Sequence, residues 1–209
     1  LIDHKSIIID HYSNMKKLYL FDFDGTLTYK DTMFLYLKFY NPSKFKLQFI
    51  KHIPLFVLLK LKLADAEKVK KSFISSILKG ERKAKIESKS KAFFDTNFPD
   101  IFRENALEFI KNIDRNTTEC YIVSASLDIW VQPFAEKFNI KLLATRAEYK
   151  DDIFTGNFIG KNCNNAEKVN RVIDAIGNKK FDKTIAFGDT SGDKEMLAWA
   201  NEGKREIFH

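Results

Sequence analysis

Short apolar runs recur along the chain, and three of them end directly at a polar residue or a glycine. Residues 18–21, 120–123 and 184–187 are mostly apolar and are followed by Asp, Ser and Gly, respectively. A weaker run covers residues 140–144. Runs of this length with turn-forming residues behind them are typical of parallel strands that are buried on both faces of a sheet.

Helical patterns separate these predicted strands. Residues 103–113, 129–138 and 166–176 carry apolar side chains at spacings of three and four positions, which is the period of an amphipathic helix. Strands that alternate with helices predict an α/β fold, a doubly wound parallel sheet. Ligands of such sheets bind beyond the carboxyl ends of the strands, so the polar residues that follow the apolar runs are the candidates for chemistry.

The connection between the first two predicted strands is unusually long, at more than 90 residues. Residues 31–100 have a helical pattern throughout and predict an inserted α-helical cap domain. Residues 15–30 and 101–209 would then form the catalytic core. Residues 148–158, which include a Thr-Gly-Asn turn, predict a small hairpin within that core.

Charge is distributed unevenly between these two parts. The chain has 209 residues and a net charge of +7, and residues 31–100 hold 15 Lys/Arg against 7 Asp/Glu, a net +8. The remainder therefore carries −1. A basic segment attracts phosphates, nucleic acid or an anionic membrane surface, although lysine-rich helices can also be simply solvated.

Residues 53–63 are the most apolar stretch of the cap. They are too few to span a bilayer, which takes about 20 residues, and two lysines interrupt them. They predict either a buried cap helix or an interfacial helix with flanking lysines.

The two cysteines, Cys120 and Cys163, have no spacing that suggests a metal site or a disulfide framework. Cys120 opens an apolar run and is predicted to be a core thiol. A reducing cytoplasm is the simplest expected location, with peripheral attachment to a membrane as a second option. Residues 1–14, which precede Met15, fit no signal or transit peptide and are interpreted as a leader or a remnant of cloning.

The strongest chemical signal is the run Asp-Phe-Asp-Gly-Thr-Leu-Thr at residues 22–28, directly after the first predicted strand. Two carboxylates two positions apart in one loop, Asp22 and Asp24, point toward a common centre. Such a pair can divide labour, with one carboxylate as nucleophile and the other moving protons. Gly25 permits the sharp turn behind them.

This run resembles motif one of the haloacid dehalogenase superfamily, whose pattern is Asp-x-Asp-Gly-Thr. Three further motifs of that family follow in the expected order, so that the resemblance spans residues 18–197: Ser124 at the end of the second strand, Lys168 ahead of the last motif, and Asp189 with Asp193 in a Gly-Asp-Thr-Ser-Gly-Asp run. The resemblance implies a Rossmann-like core with a helical cap of subclass I, and a magnesium-dependent phosphatase.

The resemblance also implies catalytic roles. Asp22 would attack phosphorus and form an aspartyl-phosphate, while Asp24 would protonate the leaving group and then deprotonate the hydrolytic water. Lys168 would neutralise charge between Asp22 and the phosphate, with Lys161 as the alternative lysine. Dehalogenases of the family lack an acid at the position of Asp24, so its presence resembles the phosphatase and phosphomutase branches.

The phosphate and metal ligands follow in the same way. The Ser124 hydroxyl and the backbone N–H of Ala125 would hold the phosphoryl oxygens, together with Lys168 and the motif-one loop at Gly25 and Thr26. Ser126 is a neighbour that can be confused with Ser124. The resemblance assigns Mg²⁺ to the side chains of Asp22 and Asp189, the backbone carbonyl of Asp24, and Asp193 directly or through water; oxygen ligands of this kind suit that ion.

A small phosphorylated substrate is expected, and two substrate classes stay open. The cap position and the run Ser-Ala-Ser-Leu-Asp at residues 124–128 resemble phosphoserine phosphatases, but Asp31 stands where those enzymes have Glu, and Arg82 is the only arginine of the cap. Bacterial phosphatidylglycerophosphate phosphatases resemble the chain in the context of Asp31, the apolar and basic cap, and residues 163–169. These features favour a lipid phosphate at an anionic surface.

Two further alternatives differ in class. A phosphotransferase would use the same residues with another acceptor than water. A nucleic-acid or membrane-binding module would use the basic cap as its active surface and would bind independently of Asp22. No nucleic-acid partner is expected, because the cap offers few arrangements for stacking bases.

Overall fold

The computed structural model describes residues 15–209, so the interpretation of residues 1–14 lies outside the described residues. Six strands form one sheet in the order β4-β3-β2-β1-β5-β6. Their bounds are β1 Lys17–Phe21, β2 Thr118–Leu127, β3 Lys141–Lys150, β4 Ile153–Ile159, β5 Lys183–Gly188 and β6 Glu202–Arg205. Neighbouring strands are parallel except for the antiparallel pair β3–β4. The predicted α/β fold with a largely parallel sheet is therefore confirmed.

Helices cover both faces of this sheet. Their bounds are α1 Thr32–Tyr40, α2 Pro42–Lys60, α3 Ala66–Leu78, α4 Lys83–Asn97, α5 Glu104–Lys111, α6 Asp128–Lys137, α7 Ala166–Ile176 and α8 Lys194–Trp199. The described part of the chain contains no helix that is both long and apolar enough to cross a membrane.

Alternate residues of the central strand face opposite sides of the sheet, which explains its continuous apolar run. Tyr19 and Phe21 pack into a large core shared with α1 and with α3 to α6, whereas Leu18 and Leu20 pack into a smaller core beneath α7 and α8. Because both faces are covered, every position of the strand is best filled by an apolar residue.

Three details of the sheet differ from the sequence-based prediction. The second strand does not end at Ser124 but continues to Leu127, with an irregular register between those two residues. The weak run at 140–144 and the first half of the predicted hairpin are one strand, β3. The edge strand β6 was not predicted, because its sequence Glu-Gly-Lys-Arg is short and polar and its side chains are partly exposed.

The segment predicted as a cap is helical, as expected, and consists of α1 to α4. This segment packs against the core through aromatic side chains: the rings of Tyr36 and Trp130 stack with 5.2 Å between their centroids. The β3–β4 hairpin supports it from the other side, since the Ser75 hydroxyl donates to the backbone oxygen of Gly156 at 2.5 Å. The division into a core and a cap at residues 31–100 stays a prediction, and "cap" below denotes those residues.

Both cysteines are free and buried, as predicted for Cys120. The apolar stretch 53–63 is buried on one face only. Phe56 packs against Phe73 at 5.4 Å between ring centroids, whereas Ile53, Val57, Leu58, Leu61 and Leu63 are exposed.

Candidate active site

The site is built around Asp22, the residue that follows β1. Its backbone N–H donates to the Phe187 oxygen at 2.9 Å, which extends the pairing of β1 with β5 by one residue. Because β1 lies between β2 and β5 and is parallel to both, the polar residues at the carboxyl ends of all three strands converge. The Asp22 side chain is nearly buried, with the residue only 6% exposed.

Lys168 forms an ion pair with the Asp22 carboxylate. It lies in the first turn of α7 and is 1% exposed, and its Nζ is 2.5 Å from Asp22 Oδ1 and 2.5 Å from Asp193 Oδ1. Burial by itself lowers the pKa of Lys168, but the two carboxylates outweigh burial and hold the pKa above its ordinary value. The alternative lysine, Lys161, is exposed, and its backbone oxygen accepts from Arg171.

The pKa of Asp22 is raised to about 7, chiefly because the carboxyl group is buried. Asp193 and Asp24 also favour the rise, and Lys168 opposes it. A nucleophilic carboxylate has to be ionised. A divalent cation at this position would lower the pKa again, so the electrostatics of the site fit a bound metal.

The geometry of the acids also fits a metal. Asp22, Asp189 and Asp193 each offer a carboxylate oxygen, and these oxygens lie within 4.8 Å of one another. The Thr26 hydroxyl lies 3.0 Å from Asp22 Oδ2 and 3.0 Å from Asp189 Oδ1, so it bridges two of the acids. A cluster of hard oxygen donors of this kind suits Mg²⁺.

Asp193 has other partners as well. Its Oδ2 accepts from the backbone N–H groups of Asp189 and Thr190 at 3.2 and 3.0 Å, and its Oδ1 accepts from Lys168. These contacts fix the loop that carries Asp189. They leave Asp22 and Asp189 as the carboxylates with more freedom to coordinate an ion.

Asp24 is held by groups outside the acid cluster. Its Oδ1 accepts from the backbone N–H and the hydroxyl of Thr32 at 2.7 and 2.5 Å, and its Oδ2 accepts from the Ser126 hydroxyl. Thr32 in turn accepts from the Trp130 indole N–H at 3.1 Å. The first residue of the cap helix α1 therefore orients the second acid of the motif.

The second motif forms the opposite side of the site. Ser124 is 1% exposed and lines the cleft, and its Oγ accepts from the backbone N–H of Ser126 at 3.0 Å. The two serines thus have separate positions, Ser124 beside Ala125 on the cleft floor and Ser126 on Asp24. The Ala125 oxygen accepts from Lys70 of α3 at 2.6 Å.

These residues lie at the base of a cleft of about 510 Å³ between core and cap. The base includes every site residue predicted from the sequence except Thr26 and Asp193, which lie just beneath it: Asp22, Asp24, Gly25, Ser124, Ala125, Lys168 and Asp189. The walls are contributed by the cap and are mostly apolar: Met33, Phe34, Phe56, Leu59, Val69 and Phe73.

Two charged cap residues also face this cleft, Asp31 and Lys70. The pKa of Asp31 is raised to about 6, chiefly by desolvation and also by Asp24, while Lys70 opposes the rise. The Asp31 side chain nevertheless stays accessible. Burial lowers the pKa of Lys70 and outweighs the effect of Asp24 and Asp31. The cap therefore contributes one acidic and one basic side chain to the cleft near Asp24.

Sequence reasoning missed Lys70, Thr32 and Arg103. Arg103 donates from Nε to the Gly25 oxygen at 3.0 Å and so braces the motif-one loop. Lys70 is one of 15 basic residues of the cap, and nothing in its local pattern distinguishes it. Only Thr32 carried a signal, because Asp31 is a favoured N-cap residue and places Thr32 at the first position of a helix.

Gly25 is required by the close approach of Asp189. Its φ is +84°, and a Cβ placed there would lie 2.3 Å from Asp189 Oδ2. Gly80 has φ +87° but open space around the same position, so it shares the backbone strain without the clash. Gly25→Ala is expected to cost about 1–3 kcal/mol in backbone strain and also to displace Asp189.

Gly80→Ala is the matched control, with comparable loss of thermal stability and unchanged turnover. Melting curves and steady-state kinetics on both variants check this expectation. Equal activity in the two variants would contradict the tight packing of Gly25 against Asp189.

Comparisons with known proteins agree with this architecture. Residues 19–198 match the model of the haloacid dehalogenase-like hydrolase family. The chain is 35% identical to Protein CicA of Caulobacter vibrioides over 193 residues, covering 91% of this chain and 86% of CicA. The chain therefore belongs to the haloacid dehalogenase-like hydrolases, and the predicted membership and hydrolase class are confirmed.

Solved structures share the fold. A protein of unknown function from Bordetella pertussis Tohama I superposes with a TM-score of 0.78 at 20% identity, covering 91% of this chain and 89% of that one. A phosphoserine phosphatase, solved as an analogue of its phospho-aspartyl intermediate, superposes with a TM-score of 0.59 at 24% identity, covering 91% and 85%. At these identities the likeness is one of fold.

Proposed function

We propose that the protein is a magnesium-dependent phosphomonoester phosphatase that works through an aspartyl-phosphate on Asp22. One observation carries the proposal: Asp22 is nearly buried at the base of a cleft, 2.5 Å from the Lys168 ammonium and clustered with Asp189. A carboxylate in this setting is oriented and partly neutralised for attack on an anionic phosphorus centre. The shared fold with a phosphoserine phosphatase supports the same chemistry.

The residues of the chain divide the reaction between them. An Asp22 oxygen attacks phosphorus in line, and the bond from phosphorus to the ester oxygen breaks. The leaving alkoxide takes a proton from Asp24, and Ser124, Ala125 and Lys168 hold the phosphoryl oxygens. Water then attacks the phosphorus of the aspartyl-phosphate, and the bond from phosphorus to the Asp22 oxygen breaks. Asp24 takes the proton of that water, the Asp22 carboxylate is restored, and inorganic phosphate leaves.

Mg²⁺ bound by Asp22 and Asp189, with the Asp24 carbonyl as a further ligand, would supply positive charge beside the transferring group. We assign Asp193 to this site through water or through the loop that it fixes, because its oxygens already contact Lys168 and two backbone amides. Thr26 and Gly25 support the same loop, Thr26 by bridging two acids and Gly25 by leaving room for Asp189.

Removal of the metal tests the proposal directly. We expect EDTA to abolish hydrolysis of p-nitrophenyl phosphate and Mg²⁺ to restore it. Asp189→Asn should raise the Mg²⁺ concentration needed for half-maximal activity at least about tenfold, because it replaces a charged ligand with a neutral one. Asp182→Asn, at an exposed acid that accepts from the backbone of Lys16, is the control and should leave that concentration unchanged. Full activity of metal-free protein would rule the proposal out.

We infer that the substrate is a phosphomonoester whose leaving group has both polar and apolar parts, and the lining of the cleft supports this. Asp31 and Lys70 offer opposite charges near the phosphate, as an amino-acid phosphate would require, and the outer walls are apolar. A lipid-borne phosphate is the second candidate, favoured by those walls. A screen with Mg²⁺ that includes phosphoserine, sugar phosphates, nucleotides and phosphatidylglycerophosphate separates them by kcat/KM, and competing alcohols reveal any phosphotransfer.

A further inference from the structure

Helix α2 has two apolar faces, and only one of them is used by the fold. The inner face packs Phe45, His52 and Phe56 around Phe73 of α3, with ring centroids 5.7, 5.2 and 5.4 Å from that ring. This packing accounts for the attachment of α2 to the rest of the cap. An ordinary surface helix would be polar on its other side.

The outer face is apolar as well. Seven large apolar residues on α2 and the turn after it are between 38% and 72% exposed: Leu47, Ile50, Ile53, Val57, Leu58, Leu61 and Leu63. At about 100° per residue, those on the helix form one continuous stripe opposite the buried aromatic face. A contiguous exposed stripe of this kind is unusual for a protein surface without a partner.

Charge indicates the nature of that partner. Residues 41–64 contain five lysines and no Asp or Glu. Lys44 donates to the Ile77 oxygen of α3, whereas Lys46, Lys51, Lys60 and Lys62 are exposed. By helical geometry Lys51 borders one edge of the apolar stripe, Lys60 borders the other, and Lys46 lies at its N-terminal end. An apolar stripe between lysines fits an anionic lipid surface, where the stripe enters the acyl boundary and the ammonium groups meet the headgroups.

A second copy of the chain fits this face less well. Two such faces would bring their lysines together without any acidic residue to pair with them, and like charges in contact oppose association. A nucleic acid would match the lysines but would leave the apolar stripe in water.

The stripe also borders the cleft. Phe56 and Leu59 of α2 line the active-site cleft, while their neighbours Val57 and Leu58 are exposed on the outer face. The C-terminal half of α2 therefore separates the cleft from the stripe, so a surface bound to the stripe would lie beside the opening of the cleft.

We propose that the outer face of α2 binds the protein peripherally to anionic membranes. The test is co-sedimentation with phosphatidylcholine vesicles with and without about one third phosphatidylglycerol. We expect binding to the anionic vesicles only, and weaker binding as salt is raised. The Ile50→Gln/Leu61→Gln variant should bind at least about tenfold more weakly, because two apolar side chains no longer enter the lipid.

Ile159→Gln/Ile207→Gln is the matched control, since it removes two exposed apolar residues elsewhere and should bind like the parent. Hydrolysis of p-nitrophenyl phosphate should be the same in all three proteins, and Asp22→Asn should bind vesicles normally, so membrane binding and catalysis can fail separately. Absence of binding, equal binding to both vesicle types, or equal loss in the two double variants would overturn the proposal. Concentration-dependent dimerisation that Ile50→Gln/Leu61→Gln abolishes would overturn it in favour of a second copy.

Discussion

Asp22→Asn is expected to lower phosphatase turnover by a factor of about 10⁴ or more, because an amide cannot serve as the nucleophile and the remaining residues provide only binding and electrostatic stabilisation. Asn matches Asp in shape, so the Thr26 hydroxyl keeps a partner at this position and the fold should persist. Steady-state kinetics with p-nitrophenyl phosphate and Mg²⁺ measure the loss, and beryllofluoride should trap the parent but not the variant.

The control is Asp174→Asn, at an exposed acid on α7, the helix that carries Lys168. It removes one negative charge without touching the cleft and should retain full activity and beryllofluoride trapping. If Asp22→Asn kept the activity of the parent, the assignment of the nucleophile would be wrong, whatever the family.

Lys168→Met is expected to reduce stability by about 3–5 kcal/mol in metal-free buffer near pH 8, since it leaves two buried carboxylates without their cation. In the parent the raised pKa of Lys168 means that its contribution is fully present below the pKa of an unfolded lysine and is lost only as pH rises through the folded value. Near pH 8 the contribution is therefore complete, and urea unfolding at that pH measures it.

The stability of the variant also falls as pH rises, but in a lower pH range. Burial already raises the pKa of Asp22, and without Lys168 nothing opposes that rise as strongly, so Asp22 opposes folding increasingly as pH rises from the unfolded to the folded pKa. The loss of unfolding free energy caused by Lys168→Met should therefore become smaller as pH is lowered. In the Lys168→Met/Asp193→Asn double variant the loss should be smaller than the sum of the losses in the two single variants.

Lys161→Met serves as the comparison for Lys168, because it removes an exposed lysine of the same segment. Its stability should lie within about 0.5 kcal/mol of the parent, as is usual for surface substitutions. Equal losses of unfolding free energy in the two variants would show that the ion pairs of Lys168 do not stabilise the fold.

Much of the fold is readable from local pattern. β1, β5 and the start of β2 were predicted because strands buried on both faces are apolar at every position. β6 was not predicted, because an edge strand needs no apolar residues. Its pairing with β5 is made by backbone groups that every sequence possesses. The sequence left two interpretations of residues 53–63 open, a buried helix and an interfacial helix, because an apolar helix has the same pattern in either setting.

The sequence by itself determined which residues can carry the chemistry, because an Asp-x-Asp-Gly-Thr loop behind a buried strand and a Gly-Asp loop behind another already specify paired carboxylates at strand ends. The motif resemblance favoured Lys168 over Lys161, and the tertiary structure shows that Lys168 contacts the acids; what Asp193 contacts was visible only in the tertiary structure. Lys168 contacts a carboxylate 146 positions away and Asp193 is shared between Lys168 and its own loop, and such distances follow from the order of strands in the sheet rather than from neighbours along the chain. The same holds for Lys70 and Thr32, whose places in the site depend on how the cap packs against the core.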